Sequence, residues 1–440
     1  MAEEKRMEQY LRQVEEQIRW KRARTAVTRE LRQHLEDQGE ACLAAGLSPE
    51  EAEAEAVRQM GDPVSVGKEL NRLHRPRPQW GLMALTLALA AVGMGLSLMT
   101  ADSLAEAVQY RLPGLLAGSA LCVLIYFWDC KPLLRHPMVS ACLFALAPAG
   151  AQLLCDQRIN YFWYGSWLGL IFLPVSFALL VYSMRGKGYR GLLGCGLGYL
   201  VLAEICLAVP SVNDLAVLTL TGGLLLLMAI RSDLLGVERK GLCTLLVITA
   251  LLTLAGINLL LAQHRIDVLL RPEQYAEGEG YLALAIRRVL GASQWLGGGV
   301  GDFTEHEPEL IRDLGYTFTW LAYDYGRAVA LAVLLLMAAF LTVGLRTCFR
   351  QRTGFGRLLS TAVLLPMTLQ TLMLCMNCAG ITVGRSYLPL LTESNALTAL
   401  ELALIGLLLS LFRQRDLLRD AQPQPREPRV KKTYTFTISI

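Results

Sequence analysis

The sequence predicts an all-α polytopic membrane protein, with about ten transmembrane helices behind a small N-terminal cytoplasmic helical domain. Three observations predict it. The chain has 440 residues, of which 53% are hydrophobic and only 18% charged, where ordinary soluble domains carry about 25% charged residues. The charge is uneven: residues 1–78 hold 14 Lys+Arg and 15 Asp+Glu, and long runs of Leu, Ala, Val and Gly follow. Finally, Lys and Arg are dense in every second connection between those runs, as the positive-inside rule requires. A soluble enzyme is excluded, and a net charge of +4 spread over short clusters forms no surface for nucleic acid.

The head, residues 1–78, reads as a helical bundle. A first amphipathic helix runs from Glu3 to Arg22 with Tyr10, Leu11, Val14 and Ile18 on one face, and a second from Ala26 to Ala45 uses Val27, Leu31, Leu35 and Cys42. Gly46 stops it. Ser48-Pro49-Glu50-Glu51 supplies an N-cap, a proline in the first turn and a capping-box glutamate for a third helix that ends before Gly61. Asp62-Pro63 starts a fourth, which runs into the basic, stiff connector His74-Arg75-Pro76-Arg77-Pro78.

The body, residues 79–413, contains ten apolar stretches long enough to cross a hydrocarbon core of about 30 Å: 80–101, 112–128, 137–155, 164–184, 191–210, 214–230, 241–262, 320–345, 358–380 and 396–412. With the head inside, the inner loops carry twelve Lys/Arg and the short outer loops only Arg111, Arg158 and Arg385. Both termini are therefore expected in the cytoplasm. One outer connection, 263–316, is far longer than the rest, and such a loop usually has a function. The tail, 414–440, is basic, then Pro/Gln-rich from Gln422 to Pro428, and reads as flexible.

Most of the eleven cysteines lie inside apolar runs as small hydrophobes, so no disulfide framework is implied. Cys375 and Cys378 form a C-x-x-C without a second pair, and the five histidines are scattered. No metal and no cofactor are expected. Gly297-Gly298-Gly299-Val300-Gly301 lacks the Lys-Ser/Thr of a phosphate loop.

Chemistry is more visible in acids placed where lipid should be. Glu204 and Glu401 fall within spans, roughly 8–9 Å below the outer surface at 1.5 Å per residue, and Asp214 begins a span on the same side. A carboxylate at that depth costs on the order of 2.5 kcal/mol unless it faces a cavity or a partner. The long outer loop adds Arg287 and Arg288 on an amphipathic helix from Tyr281 to Leu290, then Asp302, Glu305, His306, Glu307, Glu309, Arg312 and Asp313. Paired arginines suit a lipid-linked phosphate. A nearby carboxylate suits a general base acting on a sugar hydroxyl.

Four segments resemble the SEDS family of shape, elongation, division and sporulation proteins (FtsW, RodA, SpoVE). They are Pro210-Ser211-Val212-Asn213-Asp214-Leu215-Ala216, the glycine-spaced Gly291 to Gly301, Gln370-Thr371 with Gly380 and Leu388-Pro389-Leu390-Leu391, and Ala403 to Ser410. The head resembles a permease prefix domain through Gln17-Ile18-Arg19, His34 to Gln38 and Met60-Gly61-Asp62-Pro63-Val64. The SEDS resemblance implies ten spans, an outer loop between the seventh and eighth, and polymerisation of peptidoglycan glycan from a lipid-linked disaccharide-peptide. It further implies a class B penicillin-binding protein, or another divisome or elongasome membrane protein, as partner. The family's essential Asp, at the entry to span eight, falls on Gly315 when counted back from Gly326, and Asp313 stands two residues earlier.

The resemblance thus implies a divergent peptidoglycan glycosyltransferase or a precursor-binding pseudoenzyme of the cell membrane. Asp313 is the candidate base, with Arg287, Arg288, Glu401 and Glu204 as candidate substrate contacts. Two alternatives stand beside it: a catalytically inactive regulator or scaffold of envelope synthesis, and a proton-coupled permease using Glu204 and Glu401.

Overall fold

The computed structural model describes residues 3–73, 78–100, 103–155, 158–159, 162–209, 211–261, 267–268, 270–301, 303, 307–313, 316–381, 386–392 and 394–414. Four helices build the head: α1 (Glu3–Gln17), α2 (Lys21–Ala44), α3 (Pro49–Met60) and α4 (Pro63–Leu73). Tyr10, Leu11, Val14 and Ile18 are buried against Ala23, Val27, Leu31 and Leu35 of α2 and Ala56 of α3. The first helix is shorter than the pattern predicts and stops at Gln17 rather than Arg22. Neighbouring elements take the backbone groups that would have continued it: Arg24 Nε donates to Ile18 O at 2.7 Å, and Arg19 N donates to Asn71 Oδ1 at 2.9 Å. The expected capping box is formed, with the Ser48 N–H and hydroxyl both donating to Glu51, at 3.1 and 2.7 Å.

Among the described residues, the regular structure of the body is helical apart from a ladder of two two-residue strands, β1 (Arg158–Ile159) with β2 (Phe162–Trp163). Among the described residues, seven helical segments are long and apolar enough to cross a membrane. They lie in α5 (Trp80–Thr100), α10 with α11 (Tyr164–Gly169 and Leu173–Ser183, joined by a 3₁₀ turn), α12 (Gly188–Ala208), α13 (Val212–Arg231), α18 (Arg327–Phe349), α19 (Gly354–Cys378) and α20 (Asn395–Arg413). Two helices, α6 (Leu104–Phe127) and α14 (Lys240–Leu261), contain shorter apolar stretches. Behind the short α7 (Lys131–Arg135), α8 (Pro137–Ala145) and α9 (Ala147–Leu154) form a pair bent by 43°. Each expected span thus has a helix or a bent pair in its place.

Two spans differ from the sequence expectation. Residues 137–155 are not straight, because the helix breaks between Ala145 and Ala147, where Pro148 opens the next helix without an N–H for the preceding turn. The eighth span starts at Arg327 rather than Trp320. Residues Thr317–Asp324 form a separate helix, α17, and Gly326 turns the chain with φ 102°. A Cβ there would stand 2.7 Å from Trp295 O and 2.8 Å from Leu296 Cα, so only glycine fits.

Burial sorts the helices into centre and rim. α11 is buried from Leu173 to Tyr182 and α20 from Glu401 to Phe412, all round. A helix apolar on every side belongs at the centre of a bundle. α12 exposes Leu193, Leu197, Leu200 and Val201, the pattern of a rim helix meeting lipid. The long connection between α14 and α18 carries α15 (Tyr281–Ala292), α16 (Glu307–Asp313) and α17 at one end of the bundle. That end is called the far end below.

Candidate functional site at the far end of the bundle

The far end is organised by a loop that the backbone alone would not favour. Leu390 sits at φ +65°, a left-handed conformation that costs a non-glycine residue about 1–3 kcal/mol. Both sides of its backbone are clamped. Glu401, fully buried seven residues into α20, accepts the Leu390 N–H at 2.6 Å. Arg111 of α6, itself 2% exposed, donates from Nη2 to Leu390 O at 2.6 Å and from Nη1 to Thr392 O and to Thr398 Oγ1, the latter at 3.1 Å. Arg111 was expected in an outer loop; the structure places it inside α6, where the carbonyls of residues 390 and 392 and the Thr398 hydroxyl accept from it. Buried polar side chains are tolerated when hydrogen bonds of this kind satisfy them.

The same loop projects Tyr387 into a small cavity lined by Leu170, Pro174, Cys206, Asp214 and Gln370 among others. Asp214, in the first turn of α13, accepts from the Ser211 hydroxyl and from Gln370 Nε2 at 3.5 Å. Gln370 is 4% exposed and its Oε1 is buried without a partner among the described residues. Burial first, and then the carboxylates of Glu401 and Asp214, hold the Tyr387 phenol well above its ordinary value. Trp167 meets Tyr387 edge-on at 6.0 Å and stacks on Tyr164 at 5.8 Å, and Tyr164 Oη lies 2.5 Å from Ser394 Oγ. The cavity's lining is mostly apolar, and the side-chain acceptors in it are Asp214 and Gln370, beside the Tyr387 phenol. It suits a group that brings donors, such as a water, a hydroxyl or an ammonium.

In the long connection, α15 buries Ala283, Ala285, Ile286 and Val289 and exposes Arg287 and Arg288, as its amphipathic pattern predicts. Arg288 pairs with Glu307 at 2.6 Å, whose side chain is only 2% exposed, and Arg287 approaches Glu273 at 3.8 Å. Arg312 bonds Asp324 at 2.6 Å and lies over the Trp320 ring at 5.7 Å. Asp313 is the last residue of α16. Asp302, Glu305, His306, Gly315 and Arg385 lie outside the described residues.

The expected site residues therefore fall into separate places. Arg287 and Arg288 share one face of α15, and Glu401 is committed to Leu390 within the bundle. Glu204, a candidate substrate contact expected to face a cavity or a polar partner, is exposed on α12, whose contribution to the cavity is Cys206. Two residues along a helix is about 200°, so these two positions point to opposite sides. The sequence reading missed Arg111 and Tyr387, and it carried Gln370 only as part of a resembling segment. A lone cation at a span end and a polar residue within a span were the signals available.

Comparison with family models and with curated protein sequences finds no match. Solved structures do match. A peptidoglycan synthase complex, studied for the structural coordination of polymerization and crosslinking, superposes with a TM-score of 0.60 at 17% identity, over 77% of this chain and 98% of that one. The rod shape determining protein RodA of Thermus thermophilus superposes at 0.53 with 17% identity, over 77% and 97%. The fold is RodA-like. A point-substituted form of RodA superposes equally, at 0.53 with 16% identity over 77% and 98%. The RodA-like fold makes this chain a multi-pass, all-helical membrane protein. Nearly the whole length of each neighbour is matched, so the part of this chain without counterpart is additional to the RodA-like architecture. The head's likeness to a permease prefix domain finds no support in these comparisons.

Proposed function

We propose that this chain is a RodA-like protein of the bacterial cell membrane, with both termini cytoplasmic, that binds the lipid-linked disaccharide-peptide precursor of peptidoglycan on its far face. The observation that carries the reading is the fold likeness to RodA and to a peptidoglycan synthase complex over almost their whole length. The chemistry agrees with it. Arg287 and Arg288 are exposed side by side on α15, and their planar donor forks match diphosphate oxygens. Gly315 stands where the SEDS resemblance implies the essential Asp, which makes binding without turnover the preferred form; Asp313 is the candidate base if turnover occurs. A class B penicillin-binding protein, or another divisome or elongasome membrane protein, is the proposed partner.

The test uses the purified chain in lipid nanodiscs with the lipid-linked precursor. Saturable binding that weakens when Arg287 and Arg288 are both replaced by alanine supports the reading. Polymer formation abolished by Asp313→Ala would extend it to catalysis.

A second reading, an inactive regulator or scaffold of envelope synthesis, is favoured by the ion pair that already engages Arg288 and by Gly315. It expects no precursor binding, and loss of the cellular phenotype when residues 1–78 are deleted while the body still inserts. Nothing favours the permease, because Glu204 is exposed away from the cavity and Glu401 is held by Leu390.

A further inference from the structure

We propose that the turn from Gln294 to Val300 is a membrane anchor, which seats Trp295, Leu296 and Val300 in the headgroup and upper acyl layer of the far leaflet. Its position follows from hydrogen bonding. Arg327 N donates to Gln294 O at 2.8 Å and Ala328 N to Trp295 O at 3.1 Å. The Arg327 side chain adds bonds from Nε to Ser293 Oγ at 2.8 Å and from Nη2 to Leu290 O at 3.1 Å. Arg327 is the first residue of α18, an apolar span of 23 residues. At 1.5 Å per residue that helix is about 34 Å long, against a hydrocarbon core of about 30 Å. The turn tied to its first residue therefore stands at the boundary between water and hydrocarbon.

What the turn presents at that depth is apolar. Trp295 is 67% exposed, Leu296 74% and Val300 76%. The side chains are held outward by a rigid frame: Gly299 N donates to Tyr323 O at 2.6 Å, Val300 N donates to Ala292 O at 3.1 Å, and Gly297 takes the sharp turn with φ +82°. One and two turns into α18, Leu331 and Leu335 are exposed as well, so apolar surface reaches from the span up to the level of the turn. In water each of these large side chains would forgo the gain of burying its apolar surface. Tryptophan is enriched at the membrane interface, where an apolar ring with one polar edge is matched by its surroundings.

The anchor would also set the height of α15, whose last residue, Ala292, is separated from the turn by Ser293 alone. Arg287 and Arg288 would then lie at headgroup level, where a lipid-linked diphosphate is found; this consequence alone rests on the proposed function.

The experiment reconstitutes the full chain in phosphatidylcholine vesicles, with acyl chains either unmodified or brominated close to the headgroup, and compares the fluorescence of wild type with Trp295→Phe. The difference spectrum isolates Trp295 among the seven tryptophans. The anchor requires that difference to be blue-shifted and to lose most of its intensity in the brominated vesicles. A red-shifted, unquenched difference overturns it and leaves the turn as a surface for water or for another protein. Should Trp295→Phe perturb folding, Val300→Trp in a second preparation must gain a quenched signal, and an unquenched one counts against the anchor equally. Precursor binding is not read in this assay, so failure of the anchor and failure of the proposed function are separable.

Discussion

At Leu390, the left-handed backbone is held by a carboxylate on its N–H and a guanidinium on its carbonyl. Removing one partner of a buried hydrogen bond leaves the other group unsatisfied and typically costs about 1–3 kcal/mol. Glu401→Ala and Arg111→Ala should each lower the thermal unfolding temperature of the purified protein, and the double variant should lose less than the sum, by about 0.5–3 kcal/mol. Strict additivity would refute the clamp. Leu390→Gly should recover about 1 kcal/mol in the Glu401→Ala background, since glycine reaches this φ without a Cβ penalty but loses entropy on folding. Of this arrangement only Glu401 was legible from sequence, as an acid inside an apolar run. Its partners were not, because Arg111 lies 290 residues earlier at the end of another span, and no local pattern records a contact made across a bundle.

Among the elements, those governed by local chemistry were the most legible. Ser48 with Glu51 closes the capping box of α3, and Asp62 caps α4 by accepting from Ser65 N at 2.8 Å. The hydrogen bonds from Ser48 and Ser65 hold the carboxyls of Glu51 and Asp62 below the ordinary carboxylate range. Both groups bind protons more readily in the unfolded chain. Their capping contribution is thus complete above the ordinary carboxylate values and is lost as pH falls through the lowered folded values. Amide exchange in α3 and α4, corrected for the intrinsic pH effect, should show protection lost on acidification through that window, and the combined Glu51→Gln and Asp62→Asn variant should flatten the dependence. Breaks within spans were not legible, because hydropathy sums over a bend as readily as over a straight helix. The junction at Gly326 is the clearest case: Gly326→Ala adds a Cβ 2.7 Å from Trp295 O at φ 102°, and should destabilise the α17–α18 corner by about 1–3 kcal/mol, measured as faster exchange of the amides of Gly299 and Val300. Unchanged exchange would show that the corner relaxes without strain.

For the whole molecule, composition and the spacing of apolar runs were enough to read an all-helical, multi-pass membrane fold, and the resemblance of four short segments pointed to the RodA-like architecture that the superpositions show. The assembly of the far end was not readable in the same way, because the polar residues that meet there come from α6, α13, α19, α20 and the loop before α20. The core of the head, built on Leu11, Val14, Val27 and Leu31, is a cluster separate from the core of the body. Deleting residues 1–78 should therefore leave the body able to insert and to unfold at a similar temperature. The central claim is that a lipid-linked glycan precursor binds at the far face, and titration of the full chain in nanodiscs with lipid-linked disaccharide-peptide tests it most directly. Loss of two charge-assisted contacts is worth about 1.5–3 kcal/mol each, and every 1.4 kcal/mol is about tenfold in affinity. The expected result is saturable binding, weakened at least about tenfold when Arg287 and Arg288 are both alanine and unchanged in Glu204→Gln; absence of saturable binding, or equal affinity in all three proteins, would contradict it.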